Sequence, residues 1–416
     1  MPRPNPTQSS SQPRAEFGYA PATRQSRFAE RSHSPEALKG PELQNEIRET
    51  LHGIASYIHS TATPDRNDRF WPGGADLFAT NPMSLAHGAA GIALFLKRSD
   101  SLDAATLDWL QVQPLSTARY VPGFWMGLAG IAYSFSELGL GDKAEESLRL
   151  CYASPLKYAD PSLFNGAAGW GLVSLYFFRK TGRDEYLSRA LEAAQWLSDH
   201  AVRSEQGWTW TTPTEENTPL GFGHGASGIA LFLLMAGRVT NDERLLDAAR
   251  AGFEFDFAYR LESPWGWTWP AQIGGDVALP YWGSGAAGIG GVALRLHQCL
   301  GEPRYLDLAN AIADATYLKW TIQPGLFSGL TGIAEFMLDC YVVTERPEYL
   351  DRAYDIAKTL LLYRVYKPEG IAYPDRWLRR LSNDVAAGSA GVGLFFHRLL
   401  RPGRNPFVDL VTTLEG

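Results

Sequence analysis

The sequence is poor in cysteine. It contains three, Cys151, Cys299 and Cys340, among 416 residues, and none of them forms a CxxC pair. Three scattered cysteines are too few for a disulfide framework, so we expect small buried side chains. Basic residues do not dominate either, because 38 Lys and Arg face 45 Asp and Glu, for a net charge of −7. This balance argues against nucleic acid as a partner.

Long apolar runs are missing as well. No stretch reaches the roughly 18 uninterrupted apolar residues of a membrane span, and the amino terminus lacks the apolar core of a secretory signal. With 45% hydrophobic and 20% charged residues, the chain is expected to be globular and cytoplasmic, with no membrane association. Its expected partners are peptides, proteins or small molecules.

The sequence does contain an internal repeat, Gly-x-x-Gly followed by a small or apolar run. Seven copies occur, and their first glycines are 39, 39, 59, 60, 44 and 59 residues apart. The glycine pairs are Gly88 and Gly91, Gly127 and Gly130, Gly166 and Gly169, Gly225 and Gly228, Gly285 and Gly288, Gly329 and Gly332, and Gly388 and Gly391. The unequal spacing predicts a supersecondary unit with loops of variable length.

Two kinds of helix are predicted to alternate. Each glycine pair opens a run of about ten nearly uncharged residues, which is typical of a helix buried on almost all sides. Segments 182–197, 241–255, 302–315 and 346–360 instead have apolar residues three and four apart, which indicates half-exposed helices. The alternation predicts an all-α fold, an α/α toroid with seven inner and seven outer helices.

The toroid is expected to span residues 41–416, after a segment, residues 1–40, that is rich in Pro, Ser, Gln and Arg and predicted to be disordered. All seven glycine-rich helix starts would lie at one rim. Their free N–H groups and the positive ends of the helix dipoles favour anions there. A cleft of this kind suits a negatively charged transition state.

The stretches "SLAHGAAGIALFL", "GLAGIAYSF" and "LSNDVAAGSAGVGLFF", together with the seven repeats, resemble the LanC family of lanthionine cyclases. The resemblance covers residues from about 45 to 405 and is strongest to the cyclase domain of class III kinase–cyclase synthetases. It implies addition of a peptide cysteine thiol to dehydroalanine or dehydrobutyrine, which closes a thioether ring. The implied partner is a dehydrated precursor peptide, and no cofactor is implied.

The resemblance also implies that zinc is absent. Zinc-dependent members bind the metal through a Cys in a Trp-Cys-x-Gly motif and a Cys-His pair before the next Gly-x-x-Gly. In this chain those positions hold Gly283, Phe327 and Ser328, none of which is a usual zinc ligand. Family positions for an active-site Tyr, Arg and Asp hold Ser284, Leu279 and Ser162. We therefore expect no metal site.

His224, in "GFGHGASG", matches the family's general acid/base histidine. An imidazole titrates near neutral pH, so it could protonate the enolate or deprotonate the thiol; the alternative is a histidine that caps a turn. His87 has the same place in the first repeat, where the resemblance implies a structural role only. Asp384 is expected to cap helix N–H groups, and Asp160 is ambiguous.

A substrate-binding set is expected around the former zinc position. Ser284, Phe327 and Ser328 would line the vacated pocket, and Ser162 is expected to be part of the same substrate-binding set. Tyr281 and Trp282 flank it, either as core residues or as part of a peptide-binding cleft.

Glu335 is unusual because it is a carboxylate in a buried helix. An unpaired carboxylate there would be costly, so it must pair, face the cavity or have a raised pKa. One hypothesis is that Glu335 is catalytic and assists His224 in proton handling. The alternative is a salt bridge to a neighbouring helix.

The sequence thus favours a zinc-independent lanthipeptide cyclase forming lanthionine or labionin rings. Since the roughly 40 residues before the toroid cannot hold a lyase or a kinase domain, we expect a freestanding cyclase with separate lyase and kinase partners, or an excised domain. Two alternatives stay open. One is a non-catalytic scaffold that binds the precursor peptide or the dehydrating enzymes, and the other is a carbohydrate-active α/α toroid, which needs a pair of carboxylates at its cavity.

Overall fold

The computed structural model describes residues 40–118, 120–211 and 217–412. Residues 1–39, in the segment predicted to be disordered, lie outside the described residues. Seven helices follow the glycine pairs: α3 (Ala89–Arg98), α5 (Leu128–Leu138), α7 (Ala167–Thr181), α9 (Ala226–Thr240), α11 (Ala286–Leu300), α13 (Leu330–Thr344) and α15 (Ser389–Leu400). Seven others alternate with them: α1 (Pro41–Ser60), α4 (Ala104–Val112), α6 (Gly141–Tyr152), α8 (Asp184–Asp199), α10 (Glu243–Ala258), α12 (Pro303–Thr316) and α14 (Pro347–Leu362). A single turn, α2 (Asp76–Ala79), completes the set.

The glycine-pair helices form a closed inner ring. Each packs against the next one in sequence, and α15 packs against α3, which closes the circle. Each also packs against a helix of the second kind, from α4 on α3 round to α1 on α15. The predicted double toroid of seven inner and seven outer helices is confirmed.

A ring of backbone hydrogen bonds joins the seven inner-helix starts. It involves the residue two positions before the first glycine of each pair: Ala86, Trp125, Phe164, Gly223, Gly283, Phe327 and Ala386. Each of these N–H groups donates to the carbonyl oxygen of the next residue in the ring, over 2.8 to 3.2 Å, and Ala386 donates to Ala86. The seven turns are therefore held together by direct backbone contacts around the ring.

The second glycine of each pair lies against a carbonyl oxygen of the turn that precedes its own helix. A Cβ at Gly91 would lie 2.0 Å from the carbonyl oxygen of Leu85, and a Cβ at Gly130 would lie 1.7 Å from that of Phe124. No real side chain can occupy such a position. The glycines therefore permit tight packing at the first helical turn.

Three short antiparallel β-structures were not predicted. They are β1 (Val202–Ser204) with β2 (Gly207–Thr209), β3 (Leu261–Ser263) with β4 (Gly266–Thr268), and β5 (Val365–Lys367) with β6 (Gly370–Pro374) and β7 (Leu381–Ser382). Their glycines Gly207, Gly266 and Gly370 have positive φ, and a Cβ on each would lie 2.3 to 2.4 Å from a carbonyl of the next outer helix. Each hairpin therefore bridges two outer helices.

The other end of the inner ring is filled by the segment 403–412. Phe407 of this segment packs on Trp125, with centroids of the aromatic rings 5.1 Å apart. The hydroxyl of Tyr133 donates to the carbonyl of Pro406 over 3.2 Å. Within the described ranges, every helix is too short or too polar to span a bilayer.

Candidate functional site

The residues directly before the first glycines surround a cavity of about 240 Å³. In repeat order they are His87, Met126, Asn165, His224, Ser284, Ser328 and Ala387, and all except Asn165 line this cavity. These residues meet because each has the same position within its repeat. The backbone ring places such equivalent residues at equivalent points around one axis. The cavity thus lies where the positive ends of the inner helices meet.

Aromatic rings close the bottom of the cavity. Phe327 lies 4.7 Å from Phe164 and 5.0 Å from Trp125 between ring centroids. Trp282 packs beside them, 4.4 Å from Phe222 and 5.9 Å from Phe327. Water is therefore excluded from the axis of the toroid below the cavity, and polar groups at its wall act in a medium of lowered dielectric.

His224 is half-buried on the cavity wall. Its ring contacts Phe164, with centroids 5.2 Å apart at an angle of 63°. The turn that carries it is anchored from the outer ring, because Asp256 on α10 accepts hydrogen bonds from the N–H groups of Gly221 and Ser227, over 3.0 and 2.8 Å, with the same oxygen. Asp256 is a positioning residue that the sequence analysis missed.

The Asp256 carboxyl is fully buried, and its Oδ1 atom has no hydrogen-bond partner. Burial raises the pKa of this carboxyl to about 6, although the hydrogen bonds from Ser227 and Gly221 oppose the shift. The carboxyl therefore binds a proton more readily in the folded protein than in the unfolded chain, where an aspartate has a pKa of about 3.9.

This pKa predicts a pH-dependent effect of Asp256→Asn. Between about pH 4 and 6 the folded protein keeps a proton on Asp256 that the unfolded chain has lost. The free energy of unfolding of the wild type therefore falls as the pH rises through that window. Asn cannot ionise, so the variant should gain up to about 3 kcal/mol relative to wild type between pH 4 and 7. Urea unfolding at each pH measures it, with the exposed Asp307→Asn on α12 as control. A pH-independent difference would contradict the assignment.

His87 lines the same cavity and pairs with Asp384, which is 297 residues away in sequence. Its Nδ1 atom lies 3.4 Å from Oδ2 of Asp384. The other carboxylate oxygen, Oδ1, accepts from the N–H groups of Ala387 and Gly388, over 2.7 and 3.1 Å. Ala387 and Gly388 precede α15, whose start has no side-chain cap. Asp384 therefore stabilises the turn before the helix, so the expected cap on helix N–H groups is not formed, and the same carboxylate also holds a cavity histidine.

Asp384 is held in its ionised form. Burial by itself raises the pKa of the carboxyl, but hydrogen bonds from His87, the Ala387 N–H and the Ser382 hydroxyl outweigh burial, and the pKa lies below its usual range. Because an ionised carboxylate only accepts, Nδ1 of His87 must carry the proton at this contact.

Three of the predicted binding residues, Ser284, Phe327 and Ser328, line the cavity. Trp282 does not, since it is buried in the aromatic cluster with 2% of its surface exposed. Tyr281 is half-buried against the core and is not among the lining residues.

Ser162 lies outside the cavity lining as well. It is buried, and its hydroxyl accepts from the N–H of Asn165 over 3.2 Å, as Ser84 does for the N–H of His87. Asp160 in turn accepts from the N–H of Ser162 over 2.7 Å. Both side chains therefore stabilise the turn before α7, whatever else they contribute.

The residues at the positions where the resemblance places zinc ligands lie close together in the structure. The N–H of Gly283 donates to the carbonyl oxygen of Phe327 over 2.9 Å, and a Cβ at Gly283 would lie 3.3 Å from that of Phe327. With Ser328, these residues offer a hydrogen atom, a phenyl ring and a hydroxyl group, which do not fit zinc. Across the described residues, no three His, Cys, Asp or Glu side chains come together as a metal-binding group.

Glu335 lies elsewhere. Its carboxylate pairs with Arg398 on the neighbouring inner helix α15, which is the alternative weighed from the sequence. It lines a separate space with Arg98 and His397, toward the carboxyl ends of the inner helices. Burial raises the pKa of Glu335 in spite of Arg398. A catalytic role of Glu335 beside His224 stays a prediction. The contact that the structure shows for its carboxylate is the ion pair with Arg398, which joins two inner helices.

The double ring and the cavity at its glycine turns define a LanC-like α/α toroid. Residues 81–411 match the family described as "Lanthionine synthetase C-like protein", and the chain belongs to this family. The resemblance seen in the repeats is thereby confirmed.

Two curated relatives are similar to this chain in sequence. A probable SapB synthase of Streptomyces coelicolor is 29% identical over 346 residues, which cover 81% of this chain and 36% of that protein. The glutathione S-transferase LANCL1 of Danio rerio is 24% identical over 257 residues, 59% of this chain and 60% of that protein. The chain therefore spans less than two thirds of the length of either relative.

Two solved structures share the fold. A nisin cyclase superposes with a TM-score of 0.60 at 15% identity, over 79% of this chain and 92% of that one. The Lin0763 protein from Listeria innocua superposes with a TM-score of 0.52 at 14% identity, over 89% and 97%.

Proposed function

We propose that this protein is a cyclase that adds cysteine thiols of a dehydrated precursor peptide to dehydroalanine or dehydrobutyrine residues, without zinc. The observation that carries the proposal is the cavity at the glycine turns. His224 lines this cavity together with the starts of the inner helices, and aromatic side chains close its bottom. Membership in the LanC-like family and the names of two relatives, a probable SapB synthase and a nisin cyclase, support the reaction class.

The chemistry needs one proton removed and one delivered. A cysteine thiol, with a free pKa of about 8.5, must lose its proton before sulfur attacks Cβ of the dehydroamino acid. Attack moves the π electrons toward the carbonyl and forms an enolate, which then takes a proton at Cα. His224 can exchange this proton near neutral pH, and the helix starts around the cavity stabilise the negative charge as it develops.

The donor set at the former zinc position supports the zinc-free form of the proposal. The same-phase histidine, His87, gives the cavity a second proton acceptor without a metal. We further propose a class III type of protein that works with separate lyase and kinase partners and forms lanthionine or labionin rings.

A carbohydrate-active toroid is not supported. Such an enzyme needs two carboxylates facing its cavity. Among the described residues that line this one, Asp76 is the single carboxylate, and it pairs with Arg376 over 3.2 Å at the mouth.

The proposal predicts that His224→Ala lowers the cyclisation rate by at least about 100-fold, since general acid–base groups contribute at least that much. The protein is incubated with a dehydrated precursor, and free thiols are counted by alkylation and mass spectrometry. His52→Ala, an exposed histidine on α1, is the matched control and should react like wild type. The reaction should also be unchanged by a chelator.

Two results would contradict the proposal. If the wild-type protein binds the peptide and leaves its thiols unreacted, the scaffold alternative is correct. If a chelator stops the reaction and added zinc restores it, the zinc-free form is wrong.

A further inference from the structure

His87 has the surroundings of a general base. Its Nδ1 atom lies 3.4 Å from the buried carboxylate of Asp384, and the residue lines the cavity. A carboxylate on Nδ1 leaves Nε2 as the basic nitrogen and stabilises the imidazolium that forms when Nε2 takes a proton. The geometry thus fits His87 to take a proton from a group in the cavity.

We propose that His87, oriented by Asp384, is the general base that deprotonates the peptide thiol, and that His224 is the general acid that protonates Cα. This assignment rests on the proposed function. It makes His87 a catalytic residue, although the family resemblance implied a structural role only, and it makes Asp384 a positioning residue.

The proton balance closes with these two groups. The thiol proton passes to Nε2 of His87 as the C–S bond forms and the C=C π bond of the dehydroamino acid breaks. The enolate then takes a proton at Cα from protonated His224. One proton has entered the protein and one has left it, so exchange with solvent restores both histidines for the next ring.

Asp384 is built for this task by a division between its two oxygens. Oδ1 accepts the N–H groups of Ala387 and Gly388, and so serves the fold. Oδ2 faces His87 at 3.4 Å and the hydroxyl of Ser382 at 2.8 Å. The two functions can therefore be separated by a substitution that changes Oδ2 and keeps Oδ1.

Asp384→Asn is that substitution. Its amide oxygen can keep the two backbone N–H bonds, while its NH₂ group faces His87 and turns Nδ1 into the acceptor. Nε2 then carries the hydrogen and is no longer a base. His87→Gln removes the base directly, and the surface pair of His59 with Asp103, also 3.4 Å apart, provides His59→Gln as a matched control.

The pH profile separates a base from a structural residue. A free thiol is about 3% ionised at pH 7 and about 90% ionised at pH 9.5, so high pH supplies the thiolate that a missing base cannot. We expect His87→Gln and Asp384→Asn to lower the cyclisation rate about 100-fold at pH 7 and only about 3-fold at pH 9.5. His224→Ala, which lacks the acid, should not be rescued by high pH.

The titratable and charged groups near His87 are Asp76 with its partner Arg376, Asp384 and His224. The substitution His87→Gln changes none of them and removes only the contact with Asp384. Product analysis gives a second readout, since loss of the Cα proton donor in His224→Ala should change the ratio of lanthionine diastereomers, whereas His87→Gln should keep it.

The inference is overturned if folded His87→Gln reacts like wild type at pH 7, or if its defect is as large at pH 9.5 as at pH 7. It is also overturned if Asp384→Asn keeps wild-type activity. An inactive wild-type protein would instead reject the proposed function, so the two failures are distinguishable.

Discussion

We expect Gly288→Ala to lower the free energy of unfolding by at least about 3 kcal/mol. Gly288 is the second glycine of the fifth repeat and lies in the first turn of α11. A Cβ there would lie 2.2 Å from the carbonyl oxygen of Trp282 and 2.6 Å from Cβ of Phe222. Both contacts belong to the buried centre of the ring, where neither atom is the mobile end of a side chain, so the helix itself would have to shift.

Gly291 provides the control in the same helix. The nearest atoms to a Cβ at this position are Nη1 of Arg295 and Oδ2 of Asp339, both 3.9 Å away, which is ordinary contact distance. Gly291→Ala should therefore be neutral or stabilise by up to about 1 kcal/mol, because Ala is the better helix former. Urea unfolding of the two variants checks the pair. Equal losses would show that the glycines serve backbone flexibility rather than close approach.

Most of the helices could be predicted, because their signals in the sequence are local. The spacing and the apolar runs after each glycine pair indicated the inner helices, and the three-and-four periodicity indicated four of the outer helices. The backbone ring that connects Ala86 to Ala386 could not be read from any one repeat. It forms only when seven turns meet, which is a long-range property of the closed chain.

The hairpins had a signal that the sequence analysis missed. The tetrapeptide Gly-Trp-Thr-Trp occurs at both 207–210 and 266–269. In each copy the glycine has positive φ, and the indole N–H of the second tryptophan, Trp210 or Trp269, donates to a carbonyl of the preceding outer helix, over 2.8 and 2.6 Å. Repetition of a glycine followed by two tryptophans, outside the helical periodicity, would have indicated a turn with a fixed anchor.

The site was predictable to the extent that it follows the repeat phase. His224, Ser284 and Ser328 share one position relative to their glycines, and they do line one cavity. The same phase would have included His87. Its partner Asp384 and the anchor Asp256 could not be assigned, because each acts on a turn that is distant in sequence or in a different layer.

Far from the cavity, five buried charged side chains join three inner helices to the carboxyl-terminal segment. Arg295 on α11 binds Asp409 through two nitrogens, over 2.9 and 2.7 Å, and Asp339 on α13 over 2.6 Å. Arg398 on α15 binds the other oxygen of Asp339 over 2.6 Å, and also Glu335. The two arginines hold the pKa of Asp339 below its usual range against the effect of burial. Burial raises the pKa of Glu335 in spite of its contact with Arg398.

We therefore expect Arg398→Met to destabilise the protein by about 3 to 5 kcal/mol, because it leaves Glu335 short of its partner and Asp339 with one arginine in place of two. Glu335→Gln should cost less than about 1 kcal/mol, since Gln keeps an acceptor for Arg398 and leaves Arg398 paired with Asp339. Unfolding in urea at pH 7 compares the two variants. The thiol assay on Glu335→Gln adds an independent result, because a folded variant with unchanged cyclisation would exclude Glu335 from catalysis. A larger loss of stability in Glu335→Gln than in Arg398→Met would mean that the ionised carboxylate, rather than the arginine, holds the network together.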